Sequence, residues 1–312
     1  MEIALNILLL LVGFVLLIKG ADFFVDGSSS IAKLLKVPSV VIGLTIVALG
    51  TSAPEAAVSI AAGVSGSNEI AISNVVGSNI FNMLMVVGVC ALIKPFELNK
   101  TILKRDFPVN IVASLILLAV MFVGSAIGLI DGIMLLVLMI LYISYLVVSA
   151  IKNREESTEE IKTLHPFVSV LFIIGGLAAV IFGGDLVVDS ATVLAKAMGL
   201  SETFIGLTVI AIGTSLPELV TSVVASKKGD NGLALGNVVG SNIFNILFIL
   251  GLSSSLSPIA VDNSAMINLI VLCAATVLMY LLCVLRKKLG RAEGAAMVLL
   301  YAMYTGYLIY IG

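Results

Sequence analysis

Charge is what this sequence has least of. Only 12% of its 312 residues are charged, 60% are hydrophobic and the mean hydropathy is +1.20, whereas roughly a quarter of the residues of a soluble domain carry charge. That deficit excludes an ordinary soluble domain and, with it, an extramembrane enzyme. Positive charge is not in excess either. Its 17 basic and 19 acidic residues leave a net charge of -2, which gives no electrostatic footprint for nucleic acid. Histidine is reduced to His165, which cannot make a metal site alone. The three cysteines, Cys90, Cys273 and Cys283, fall inside apolar runs, where a thiol packs as a small apolar group rather than forming a disulfide or a metal site.

Long apolar runs are what the chain has instead. They predict an all-α integral membrane protein of ten transmembrane helices, near residues 3–19, 39–62, 70–93, 108–128, 131–151, 167–183, 203–226, 232–254, 264–285 and 293–311, each close to the ~20 residues that cross a bilayer. The first run has no preceding basic residue and no clean small-x-small cleavage site, so it is expected to be a span rather than a cleaved leader. The one long charged stretch, KNREESTEEIKTLH, separates a first half, residues 1–151, from a second half, residues 167–312, with residues 152–166 as linker. Every basic residue except Lys196 falls on one side of this ten-helix path. Basic residues near helix ends stay cytoplasmic, which predicts a multi-pass protein of the plasma or inner membrane with both termini outside and a cytoplasmic linker.

The halves are copies. Residues 43–89 align with residues 206–252 without a gap at a constant offset of 163, and 25 of the 47 positions are identical. The register continues upstream, pairing Asp22 with Asp185, Asp26 with Asp189 and Lys33 with Lys196. A duplicated unit of five helices, an odd number, returns to the membrane from the opposite face. The expected fold is therefore two inverted five-helix repeats, with a substrate site near the midplane where they meet.

Two acidic residues, Glu55 and Glu218, lie deep inside the expected spans, and the offset relates them. A carboxylate at the bilayer centre costs at least a few kcal/mol, and no Lys or Arg lies at similar depth to neutralise these two, so they call for a cation, a proton or a polar partner. Ala48, Thr51, Ser52 and Glu55 share one helical face, as do Ala211, Thr214, Ser215 and Glu218. Pro54 and Pro217 free the carbonyls of Gly50 and Gly213 and break or kink the helix beside each carboxylate. Further along, Asn74, Ser78 and Asn82 repeat as Asn237, Ser241 and Asn245. For Asn74 and Asn237, gluing helices together is as good a reading as binding an ion. The assembled set is all oxygen: two carboxylates, two to four amides, hydroxyls and freed carbonyls. Such a set suits a hard cation, Ca2+ better than Mg2+, with Na+ also fitting.

GTSAPE with SNVVGSNIFN, and again GTSLPE with GNVVGSNIFN, resemble the paired alpha repeats of the calcium/cation antiporter superfamily, and look closest to prokaryotic sodium/calcium exchangers. The resemblance implies ion ligation by Glu55 and Glu218, with Thr51, Ser52, Thr214, Ser215, Ser78 and Ser241 around them, the carbonyls of Ala48 and Ala211, and Asn82 and Asn245. Several members carry an aspartate at the positions of Asn82 or Asn245, and both are amides here. The linker at 152–166 also lacks room for the large cytosolic calcium-sensing domains of animal exchangers. The reading is an alternating-access antiporter exchanging Ca2+ for Na+, with Ca2+/H+ exchange on the same fold as the alternative. It needs no cofactor, and no obligatory protein partner is evident. A cation channel would differ in needing no counter-ion. An intramembrane aspartyl hydrolase built on Asp22 or Asp26 with Asp185 or Asp189 fails because inversion puts the two pairs near opposite faces. Cysteines introduced at Ser157 and Asn263, in a background lacking the native three, test the sidedness. Residue 263 should label from outside intact cells with an impermeant reagent, and labelling of residue 157 from outside would show the topology to be wrong.

Overall fold

Apolar runs with no water to satisfy their amides cross a bilayer as helices, and the computed structural model of the chain is built from them. It describes residues 2–66, 68–97, 100–124, 126–152, 163–200, 209, 211–261, 263–286 and 288–311. In chain order the helices are α1 (Glu2–Leu35), α2 (Ser39–Thr51), α3 (Ala53–Ser65), α4 (Glu69–Ile93), α5 (Ile102–Val123), α6 (Leu129–Lys152), α7 (Pro166–Ala197), α8 (Ala211–Thr214), α9 (Leu216–Lys228), α10 (Asn231–Leu256), α11 (Asn263–Arg286) and α12 (Arg291–Ile311). Among the described residues eight helices are long and apolar enough to span a membrane, and α2 with α3, bent by 50° at Ser52, make a ninth. The expected segment at 203–226 begins on residues outside the described set and takes in α8 and most of α9.

Helices α1 and α7 run well past the expected ends at 19 and 183. With 34 and 32 residues they are about 50 Å long at 1.5 Å per residue, more than the ~30 Å hydrocarbon core can hold upright. Asp22, Asp26, Asp185 and Asp189, expected near helix ends, therefore sit within continuous helix. Lys228, the last residue of α9, places Nζ 2.7 Å from Asp26 and 3.5 Å from Asp22.

The two long helices meet along small residues. Gly13, Gly20 and Gly27 recur every seven positions in α1 and face Gly183, Gly176 and Ser169 of α7. A Cβ on Gly20 would lie 2.8 Å from the Val180 amide nitrogen, and one on Gly176 would lie 2.5 Å from that of Phe24. Partner numbers fall as those of α1 rise, so the helices are antiparallel. The offset that relates the halves carries Gly13 onto Gly176 and Gly20 onto Gly183, so equivalent helices of the two halves pack in opposite directions. Two short ribbons obey the same relation. Phe96–Glu97 (β1) pairs with Lys288–Leu289 (β4), and Ala126–Ile127 (β2) pairs with Ile259–Ala260 (β3), both antiparallel. The offset carries Phe96 onto Ile259 and Ala126 onto Leu289, so β1 corresponds to β3 and β2 to β4, and each ribbon joins one strand from each half.

Helix α10 lies innermost, buried over 94% of its most apolar stretch, whereas α12 is 11% buried and faces outward. Gly236 and Gly240 let α10 lie directly on the backbone of α2 at Val40 and Leu44. Its N-terminus is capped by buried Asp230, whose carboxylate accepts from the Leu233 amide at 2.9 Å, Ser29 Oγ at 2.7 Å and Ser39 Oγ at 2.6 Å. One charged cap thus ties α1 and α2 to the start of α10.

Adjacent glycines test the seam. A Cβ on Gly176 meets backbone, whereas one on Gly175 meets nothing within 4 Å. Gly176→Ala should destabilise by about 1–3 kcal/mol through overpacking, while Gly175→Ala should be neutral or gain up to about 1 kcal/mol of helix propensity. Thermal unfolding of both purified variants in one detergent checks this, and equal melting temperatures would remove the seam.

Candidate functional site

Proline places the two carboxylates. Pro54 and Pro217 each stand in the first turn of a helix, where a missing amide hydrogen costs nothing. Before them the backbone leaves helical geometry at Ser52 (φ −82°, ψ 9°) and Ser215 (φ −94°, ψ 7°). Glu55 and Glu218 consequently fall in the first turns of α3 and α9, at the positive ends of the two helix dipoles. That placement favours a carboxylate by up to about 2 kcal/mol. Both side chains are completely buried, and burial costs at least a few kcal/mol, so the dipoles offset only part of it. Among the described residues the buried charged side chains are Glu55, Glu218, Asp106 and Asp230, all acidic. Arg105 is occupied by Asp106, 2.6 Å away.

Hydroxyls supply the rest crosswise. Ser52 of the first half donates to Glu218 Oε1 at 2.8 Å, and Ser215 of the second donates to Glu55 Oε1 at 3.0 Å. Each carboxylate also receives a hydroxyl from its own half, Ser78 to Glu55 Oε1 and Ser241 to Glu218 Oε1, both at 3.5 Å. Ser241 Oγ lies equally far from the Ala48 carbonyl, and Thr51 Oγ1 stands 3.4 Å from that carbonyl while donating to Asn237 Oδ1 at 3.0 Å. Asn74 and Asn237 bridge to the neighbouring helix by the same pattern: Asn74 Nδ2 donates to the Glu55 carbonyl and Ser59 Oγ, and Asn237 Nδ2 to the Glu218 carbonyl and Ser222 Oγ. Their NH2 groups thus join neighbouring helices, as the gluing reading expects.

Helices α4 and α10 each loosen into a π-helical turn, over Phe81–Val86 and Asn245–Leu250, a feature that recurs at functional sites. Asn82 and Asn245 lie in these turns. Their Nδ2 atoms donate to Asn242 Oδ1 at 3.1 Å and to Asn79 Oδ1 at 3.0 Å. Among the buried oxygens left without a hydrogen-bond partner are two repeat-related pairs, Glu55 Oε2 with Glu218 Oε2 and Asn82 Oδ1 with Asn245 Oδ1, together with Thr214 Oγ1. Oxygens of this kind, deep in protein and unmatched by any donor, are what a hard cation requires. Among the described residues no three His, Cys, Asp or Glu side chains gather to hold a metal, so a cation here would be bound by two carboxylates and neutral oxygens.

The hydrogen bonds thus gather Thr51, Ser52, Glu218, Ser241 and the Ala48 carbonyl into one network, Glu55, Ser78 and Ser215 into a second, and Asn82 and Asn245 with Asn242 and Asn79 into a third. Ala211 opens α8 and Thr214 closes it. Thr51 and Asn237 are sealed off, whereas their counterparts Thr214 and Asn74 keep partial exposure, so the cluster is more open on one side. Asn79 and Asn242 were not singled out from the sequence, nor were Ser59 and Ser222. All four are identical in both copies and completely buried. Reading a stripe at intervals of four stepped over Asn79, one position beyond Ser78.

Comparison with known proteins agrees with the duplication. Residues 5–149 and residues 168–310 each match the family described as sodium/calcium exchanger protein. Sodium/calcium exchanger MaX1 of Methanosarcina acetivorans is 34% identical over 99% of this chain and 100% of its own length. Inner membrane protein YrbG of Escherichia coli K12 is 37% identical over 82% of each chain. Among solved structures, the sodium-calcium exchanger NCX_Mj soaked with zero Na+ and Ca2+ superposes with a TM-score of 0.85 at 34% identity, covering 98% of this chain and 99% of that one.

Two buried carboxylates without a buried counter-charge among the described residues are a burden on the fold. Glu55→Gln or Glu218→Gln should therefore leave the melting temperature in ion-free, chelator-containing buffer at or above that of the parent. A fall of more than ~5 °C, about 1 kcal/mol or more at this size, would show the carboxylates to be structural.

Proposed function

The chain belongs to the sodium/calcium exchanger protein family, and on that basis we propose that it is a secondary active antiporter exchanging Ca2+ for Na+ by alternating access. The observation that carries the reading is the crosswise pair of carboxylates, each bound through Oε1 by a serine of the other half and left with Oε2 unpartnered. Two carboxylates match the charge of one Ca2+, and Asn82, Asn245 and the surrounding hydroxyls supply neutral oxygens toward the six to eight that Ca2+ takes. Glu55, Glu218, Thr51, Ser52, Thr214, Ser215, Ser78, Ser241, Asn82 and Asn245, with the carbonyls of Ala48 and Ala211, are the proposed ligands. When Ca2+ leaves, the carboxylates need replacement charge, which Na+ on the hydroxyl and carbonyl oxygens provides. Occupied carboxylates let the halves rearrange, and bare ones oppose it, which couples the two fluxes. The one-sided exposure of Thr214 and Asn74 fits a site that opens to one face at a time.

Strand pairing supports ten spans in two inverted repeats. Partners β1 and β4 must lie on the same membrane face, as must β2 and β3. Between β1 and β4 the long described helices make five crossings, and between β2 and β3 they make three. Each count is odd, which argues for one further crossing between α7 and α10, where α8 and α9 lie. With that crossing both termini share one face, and the asymmetry of basic residues puts that face outside and the linker at 152–166 in the cytoplasm.

Transport into proteoliposomes tests the reading. An outward-directed Na+ gradient should drive Ca2+ uptake in the parent, and Glu55→Gln or Glu218→Gln should abolish it. Thr51→Val and Thr214→Val should weaken Na+-driven exchange more than Ca2+ binding. If a pH gradient alone drives full Ca2+ flux in sodium-free buffer and Na+ has no effect, the coupling ion is H+, carried by the two glutamates.

A further inference from the structure

Asparagine can present either an oxygen or an NH2 group to a neighbouring ion, and only one of these binds a cation. Four bonds between α4 and α10 decide which. Asn79 Nδ2 lies 3.1 Å from the Asn242 backbone carbonyl, and Asn242 Nδ2 lies 3.2 Å from that of Asn79. A carbonyl oxygen only accepts, so each amide must turn its NH2 to the opposite backbone and hold its own Oδ1 outward. Those Oδ1 atoms are the ones that face Asn245 and Asn82, at 3.0 Å and 3.1 Å. An acceptor there demands a donor, so Asn245 and Asn82 must present Nδ2 and turn Oδ1 the other way. Those two Oδ1 atoms are buried and have no hydrogen-bond partner.

We infer that Asn79 and Asn242 are positioning residues which, through this chain of amide orientations, force Asn82 and Asn245 to offer oxygen rather than NH2 to the transported cation. The inference rests on the ion site proposed above. Asn79 and Asn242 themselves have both amide atoms engaged in these four bonds, so they act on the ion through their neighbours. Each sets the amide of the other half: Asn79 sets Asn245, and Asn242 sets Asn82. The orientation of each half's amide ligand is thus enforced by the opposite half.

The test is a double-mutant cycle on purified full-length protein, reading Ca2+ affinity by calorimetry in sodium-free buffer with thermal unfolding to confirm the fold. Asn79→Ala removes the acceptor, frees the Asn245 amide to turn its NH2 toward the ion, and should weaken Ca2+ binding about tenfold or more. In the Asn245→Asp background a carboxylate has no NH2 to present, and the Asn79 Oδ1 that faces it is a repulsive neighbour. There Asn79→Ala should leave Ca2+ affinity unchanged or raise it. A residue that merely clips α4 to α10 would cost the same in both backgrounds, and that result would overturn the positioning role, as would Asn79→Ala binding Ca2+ like the parent. Should Asn79→Ala not yield folded protein, Asn242→Ala with and without Asn82→Asp carries the same test in the other half. A parent protein that binds neither Ca2+ nor Na+ would overturn the site reading itself, and the positioning role with it.

Discussion

Two buried carboxylates, with no buried basic residue among the described residues to answer them, are the constraint around which this molecule is built. Each stands at a helix N-terminus that opens beside a proline, and each is given two serine hydroxyls. Neither device adds a full positive charge. What remains is a deficit of positive charge, and the proposed ion binding rests on it. A lysine at the same depth would supply that charge.

The bonds that hold the cluster run between halves as well as within them. Ser52 serves Glu218, Ser215 serves Glu55, and Asn79 and Asn242 exchange amide bonds with each other's backbone. Neither half satisfies its own carboxylate and amide alone, which accounts for a site that exists only where the copies meet. Elsewhere the same crosswise rule appears in the antiparallel glycine seam of α1 with α7 and in the two ribbons, each built from both halves.

The symmetry is broken at one end. Lys228 binds Asp26 and Asp22 of α1, and Asp230 holds Ser29 and Ser39. At the equivalent positions the first half has Ser65 and Ser67, neither of which carries a charge. The partly exposed ion pairs contribute little, on the order of 0–1 kcal/mol. The buried Asp230 network, made of charge-assisted bonds shielded from water, contributes more. The first long helix, α1, is therefore fastened by charged contacts from the second half, and the first half has no charged residues at the equivalent positions to fasten α7 in return.

The sequence by itself determined the all-helical membrane fold, the duplication and the two glutamates, because hydropathy, a constant offset and a misplaced charge are properties of the chain in one dimension. The proline breaks were legible for the same reason: a missing amide hydrogen acts locally. Helices α1 and α7 run beyond the expected 3–19 and 167–183 because a long helix can carry charge wherever it leaves the hydrocarbon or finds a partner such as Lys228. Asn79 and Asn242 escaped because their role lies in a hydrogen bond to another helix, and periodicity along one helix says nothing of what faces it. Which serine serves which glutamate, and which amide atom of Asn82 and Asn245 is left without a hydrogen-bond partner, were decided only in three dimensions. Those choices depend on donors and acceptors meeting across two halves that the chain holds 163 residues apart.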